Sequence, residues 1–234
     1  MKNISAMIFA AGLGTRLYPL TANKPKALVE FQGRPLLDHV MRKILDAGIQ
    51  HIVVNVHHFP DMIIDYLSKQ FYDAEIEISD ERDYLRDTGG GLKFAAPLLD
   101  DSENILLHNV DILSDIDLKQ LIDYHVHQEA LATLAVRQRN TSRYFLFDED
   151  LQLCGWRNSK TGEEIHARTC DNCVPLAFSG IHVVRRDLID LIPTAMKQSI
   201  TPIYVELANT HTLKGFLHNE GNWRDMGKIE DFDS

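Results

Sequence analysis

Residues 5–10 (SAMIFA) form a short apolar run that stops at Gly12, the pattern of a strand buried on both faces and released into a glycine turn. From Pro35 the apolar positions Leu36, Leu37, Val40, Met41, Ile44 and Leu45 recur at i, i+4, i+8, which predicts an amphipathic helix ended by Gly48. Residues 51–56 (HIVVNV) are β-branched and continuous, a second buried strand, and within 61–71 the residues Ile63, Ile64, Leu67 and Phe71 take helical spacing. The alternation continues with a strand at 75–79, a helix opening near glycines 89–91, a strand at 104–109, a helix at 118–128 and a strand at 131–136. Unbroken apolar strands alternating with helices imply a mostly parallel sheet covered on both faces, with ligands at the carboxyl ends of the strands.

After Arg137 the texture changes. Residues 144–147, 151–156 and 177–184 read as strands joined by polar loops, with shorter helices at 186–191 and 203–208. No Pro/Gly/Ser-rich linker separates this part from the first, so the expectation is one α/β domain over 1–234 with a mixed or antiparallel extension of the same sheet. Its halves are 1–137, for nucleotide, and 138–234.

Composition narrows the classes. The chain has 234 residues, 44% hydrophobic and 25% charged, which suits one large globular domain. No apolar run approaches the roughly 20 residues of a bilayer span, and the start lacks the layout of a secretory signal, so a cytoplasmic protein without membrane contact is expected. A net charge of −10 argues against a nucleic-acid partner, because that grip rests on basic residues. Yet residues 1–50 hold seven Lys/Arg (Lys2, Arg16, Lys24, Lys26, Arg34, Arg42, Lys43) against three acids, a basic end that a small polyanion could approach. Cys154, Cys170 and Cys173 are too few and too clustered for a disulfide framework. With His166 they could make a four-ligand metal set, but only Cys170 and Cys173 have paired spacing, and ordinary loop thiols are favoured.

The most informative stretch is Ala10-Ala11-Gly12-Leu13-Gly14-Thr15-Arg16-Leu17, directly after the first strand. Two glycines there let backbone amides approach an anion closely. A P-loop would need a glycine, four intervening residues and then Gly-Lys-Ser/Thr, and a dinucleotide fingerprint would need a third glycine where Leu17 stands; neither is present.

Gly12, Gly14, Thr15 and Arg16, followed by Pro25-Lys26, resemble the signature of the sugar-1-phosphate nucleotidyltransferases. The resemblance runs on through Thr88-Gly89-Gly90-Gly91, His108-Asn109-Val110-Asp111, Phe178-Ser179-Gly180-Ile181 and Trp223-Arg224-Asp225-Met226-Gly227. Within the family these motifs look most like the branch holding N-acetylmuramate-1-phosphate uridylyltransferases of cell-wall recycling and mannose-1-phosphate guanylyltransferase-like proteins. The resemblance implies a single Rossmann-like nucleotidyltransferase domain whose substrates are an NTP and a sugar-1-phosphate, with UTP and N-acetylmuramate-1-phosphate the leading pair. Attack of a sugar-1-phosphate oxygen on the α-phosphorus would expel pyrophosphate.

The same resemblance implies the roles. Amides of Leu13, Gly14 and Thr15 would cradle the triphosphate, Arg16 would hold its β- and γ-phosphates, and Lys26 would meet the α-phosphate. Ala11, Gly12, Thr88, Gly89 and Asn109 would contact the nucleotide, while Ser179 and Gly180 would line the sugar side. Asp111 and Asp225 would hold Mg2+, with Asp115 and Asp117 left as helix caps. At most one of His57 and His58 would face the site. Glu-Lys-Pro, which many relatives use to bind the sugar phosphate, is absent, leaving that role to Arg143, Arg157, Lys160 or another cation. A cytidylyltransferase or glycosyltransferase on the same platform, or a non-catalytic nucleotide-binding subunit, are the alternatives. The chain stops soon after Asp225, so a monomer or small homo-oligomer is expected.

Overall fold

The computed structural model describes residues 4–194 and 196–232; Lys2, counted above in the basic N-terminal excess, lies outside them. The chain runs β1 (Ile4–Phe9), β2 (Glu30–Phe31), β3 (Arg34–Pro35), α1 (Leu36–Asp46), β4 (His51–Val56), α2 (Pro60–Ser68), β5 (Glu75–Asp80), α3 (Asp87–Phe94), β6 (Asn104–Asn109), β7 (Ile112–Ser114), α4 (Leu118–His127) and β8 (Ala132–Arg137). It continues with β9 (Arg143–Phe147), β10 (Leu153–Asn158), β11 (Glu164–His166), β12 (Val174–Arg185), α5 (Leu188–Leu191), α6 (Ile200–Leu207), β13 (Leu213–Leu217) and β14 (Trp223–Asp225).

β5, β4, β1 and β6 pair in parallel in that order, the α/β platform expected from the alternating pattern. Side chains alternate across a strand, so β1 sends Met7 and Phe9 to one face and Ala6 and Ile8 to the other. On the first face they pack with Leu92 of α3, Leu188 of α5 and Tyr204 of α6; on the second with Val40, Met41 and Ile44 of α1 and Leu121 of α4. A strand covered on both sides must be apolar at every position, which is why these strands read as continuous runs.

The structure corrects one placement. β8, read from sequence as the last strand of the parallel platform, does not lie beside β6, because β12 from the second half of the chain is inserted between them, antiparallel to both. β13 then adds to β8 in parallel. The first residues of β12 pair with β9, which continues antiparallel through β10 and β11, so a single twelve-residue strand belongs to both regions. Among the described residues no helix is long and apolar enough to cross a membrane.

Candidate active site

The carboxyl ends of β4, β1 and β6 lie side by side, and their register sets Phe9 level with Asn55 on one side and Asn109 on the other. Loops leaving this edge of a parallel sheet are free to surround a ligand. They enclose a cleft of about 420 Å3 lined by Ala11, Gly12, Leu13, Gly14, Thr15, Arg16, Lys26, Thr88, Asn109 and Asp111, joined by Asn55, Asp87, Lys197 and Gly227.

The loop's shape follows from its residues. Gly14 has φ +65°, and a Cβ there would stand 3.0 Å from Thr21 Cγ2 and 3.1 Å from the Lys26 Cβ, so conformation and space both call for glycine. Thr21 Oγ1 donates to the Gly14 carbonyl at 2.9 Å, holding the turn. A Cβ on Gly12 would meet nothing within 4 Å, so that glycine borders open space.

Beneath the loop lies a buried polar network that the sequence reading missed. Asn55 Oδ1 accepts from the amides of Ala10 at 2.7 Å and Ala11 at 3.2 Å, while its Nδ2 donates to Glu81 Oε1 at 2.8 Å. Glu81 Oε2 accepts from the Arg86 amide at 3.1 Å, and burial pushes the Glu81 carboxyl above the usual range. Buried polar groups are almost always bonded, so the lone amide inside HIVVNV was the available signal. Arginine 139 was also missed. Its guanidinium carbon lies 4.3 Å from the Trp223 ring centroid, its Nη2 donates to the Phe178 carbonyl at 3.0 Å, and its buried Nε has no hydrogen-bond partner among the described residues.

The acids converge through a short ladder. β14 pairs antiparallel with β7, setting Asp225 opposite Ile112, and the Met226 amide donates to the Asp111 carbonyl at 2.8 Å. The buried Lys26 ammonium forms an ion pair with Asp111 Oδ2. Asp225 Oδ1 is buried and without a hydrogen-bond partner among the described residues. Burial first, and then the Asp111 charge, raise the Asp225 carboxyl above its usual range, with Lys26 and Arg16 opposing. A Cβ on Gly227 would stand 2.6 Å from Asp225 Oδ1 and 2.8 Å from Arg16 Nη2, so its bare α-carbon leaves room for both.

Several sequence expectations are corrected. Gly89 does not line the cleft: its amide donates to the Gln198 carbonyl at 2.9 Å, and a Cβ would stand 2.7 Å from Ile203 Cδ1, so it serves the packing of α3 on α6. Ser179 is fully buried, its hydroxyl 2.7 Å from His218 Nε2 and its carbonyl accepting from Trp223 Nε1 at 3.0 Å. Gly180 packs beneath Asn109, where a Cβ would come within 2.9 Å of Asn109 Nδ2. Asp117 does cap α4, accepting from the Lys119 and Gln120 amides, but Asp115 instead accepts from the Asn222 amide and side chain and ties down the approach to β14. Within the expectation that at most one of them faces the site, neither His57, bonded to the Glu81 carbonyl, nor His58, against the Phe59 ring, lines the cleft. Arg157 is paired with Glu164, and Arg143 and Lys160 are exposed at the same end of the β9–β10–β11 ribbon. Cys170 and Cys173 are joined by a disulfide rather than being separate thiols, and His166 is paired with Glu164.

A family model described as nucleotidyl transferase matches residues 5–151. A mannose-1-phosphate guanyltransferase of Candida albicans is 32% identical over 98% of this chain, which spans 62% of that relative's length. Two solved structures share the fold at lower identity. HddC from Yersinia pseudotuberculosis complexed with GMP-PN superposes with a TM-score of 0.79 at 20% identity over 99% of this chain and 96% of its own. A Bacillus anthracis protein provisionally described as a glucose-1-phosphate thymidylyltransferase, in complex with a sucrose, gives 0.81 at 18% identity over 98% and 92%. With a family model spanning well over half the residues, the chain belongs to the nucleotidyl transferase family.

Proposed function

We propose that the chain transfers a nucleotidyl group from an NTP to a sugar-1-phosphate, releasing pyrophosphate. The observation that carries this reading is the convergence, at the carboxyl ends of β1, β4 and β6, of the Gly12 to Arg16 loop, Lys26 and Asp111, with Asp225 at the end of β14 reaching the same place beside Gly227 and Arg16. Nucleotidyl transfer needs alignment and charge neutralisation more than covalent help. Amides of Leu13, Gly14 and Thr15 would bind the triphosphate, and the planar donors of Arg16 suit its outer phosphates. Lys26, a point charge already buried beside Asp111, would turn to the α-phosphate where charge accumulates. The nucleoside would lie against Ala11, Gly12, Thr88 and Asn109.

The donor set fits a magnesium ion. Asp225 offers a buried oxygen with no hydrogen-bond partner among the described residues, Asp111 stands close enough to perturb its charge, and both are hard oxygen ligands. When bound, Mg2+ would screen the triphosphate and the transition-state charge. For the sugar phosphate we assign Arg139, which is held against Trp223 close enough to Asp225 to feel its charge. GTP with mannose-1-phosphate is the first substrate pair, supported by the name of the Candida albicans relative. UTP with N-acetylmuramate-1-phosphate is the second, supported by the motifs Thr88 to Gly91 and Trp223 to Gly227.

The test is pyrophosphate release across four NTPs and a sugar-1-phosphate panel, with and without Mg2+. Activity should require Mg2+ and fall by about 100-fold or more in Asp111→Ala and Asp225→Ala, with circular dichroism unchanged. Wild-type protein inactive throughout the panel would sink the proposal. Turnover of CTP with a phosphoalcohol, or of an NDP-sugar without pyrophosphate, would instead select the alternative transferase chemistries.

A further inference from the structure

All three cysteines of the chain converge at a place away from the cleft. The sulfur atoms of Cys154, Cys170 and Cys173 lie within 4.8 Å of one another. Cys154 is buried on β10, and the other two stand on the loop joining β11 to β12. That loop is held to β10 at its base, where the Ala167 and Arg168 amides donate to the Cys154 carbonyl at 2.8 and 3.1 Å. The Arg168 side chain ties it further to the carbonyls of Ala208 and His211. The third sulfur therefore approaches the pair on a fixed frame.

Cys170 and Cys173 are disulfide-bonded, but a link across so short a loop constrains the unfolded chain least, and it gives the third sulfur no part. Three sulfurs from two anchored segments match the soft donor set that selects zinc over magnesium. A zinc ion bonds sulfur at about 2.3 Å, which puts tetrahedral sulfurs roughly 3.8 Å apart; Cys154 already lies within 4.8 Å of both partners, and the third edge, now the Cys170–Cys173 bond, must open to that spacing on reduction. His166 is not the fourth ligand. It pairs in register with Gly155, so its side chain leaves the opposite face of the ribbon from Cys154 and meets Glu164 at 2.7 Å.

We propose that, once reduced, Cys154, Cys170 and Cys173 bind one zinc ion through three thiolates, in a state mutually exclusive with the Cys170–Cys173 disulfide. A small dithiol supplies the reduction: its two thiols join as a disulfide, the Cys170–Cys173 bond breaks, and the two protons pass to the freed sulfurs. Zinc then replaces three thiol protons with three zinc–sulfur bonds, leaving a fourth position for water. The ion locks the entry to β12, the strand shared by both regions of the sheet.

The test is titration of the dithiol-reduced, anaerobic protein with Co2+, followed by displacement with Zn2+. One equivalent of Co2+ should produce a sulfur-to-metal charge-transfer band and tetrahedral d–d bands, bleached by one equivalent of Zn2+; the oxidised protein should give none. Cys154→Ser and Cys170→Ser should each weaken zinc by about 100-fold or more, while His166→Ala leaves it unchanged. Cys154→Ala is the second buried variant if circular dichroism shows Cys154→Ser misfolded. Zn2+ should raise the Tm of the reduced wild type and not of Cys170→Ser. Absence of the band in the reduced wild type, or an undiminished band in folded Cys154 variants, would overturn the proposal.

Discussion

Gly227 shows how much of this site is set by what a residue lacks. Asp225 and Arg16 occupy the space its side chain would take, so Gly227→Ala must push an acid or a cation away from the cleft. A displacement near 1 Å at a reacting centre costs on the order of 100-fold in rate, and we expect a loss of that size in kcat with Tm within a few degrees of wild type. Steady-state kinetics beside a thermal melt separates this from simple destabilisation. The glycine loop was legible in the sequence from its place directly after β1, and Lys26 and Asp111 through the resemblance of their motifs to a known signature; the structure brings all three to one cleft. Asn55, Glu81 and Arg139 were not legible, because each takes its meaning from a partner brought by folding: loop amides for Asn55, the Asn55 amide for Glu81, the Trp223 ring for Arg139.

At the scale of elements, the apolar runs gave β1, β4 and β6 to within a residue, since burial on both faces leaves no other pattern, whereas the helix read at 61–71 ends at Ser68. The insertion of β12 was not legible, because strand order is a property of pairing and nothing in residues 177–184 names β6 as neighbour. Nor were β7 and β14, at three residues each, long enough to show a period. The register of β12 against β8 shifts between Phe178 and His182, and Gly180 takes φ +74° within that irregularity, 2.9 Å short of Asn109 at its notional Cβ. Gly180→Ala should therefore cost at least about 1 kcal/mol from the left-handed backbone alone, read as a lower urea midpoint. Because Asn109 must also move, activity should fall further than stability accounts for.

For the molecule as a whole, three buried histidines govern the acid limit. Burial, as the main cause, lowers His108 and His125 to about 4 and His182 to about 3, from 6.5. The unfolded chain takes up protons below about 6.5 that the folded chain refuses, so their contribution to stability is present above 6.5 and is lost as pH falls towards 4. The slope is up to about 1.4 kcal/mol per pH unit for each histidine. Half-buried His218, lowered to about 4 chiefly by burial, adds to them, while Glu81 and Asp225, whose carboxyls are raised chiefly by burial, work in the opposite direction. Urea midpoints should drop between pH 6.5 and 4.5, and His125→Gln should flatten that drop; an unchanged slope would refute the assignment. The pairing of β14 with β7 carries a separate consequence, for timing. Asp225 meets Asp111 across more than a hundred residues, and contacts so distant in sequence close late in folding. A chain whose β7–β14 ladder is still open would present the glycine loop and Lys26 but only one of the two carboxylates proposed to hold the metal.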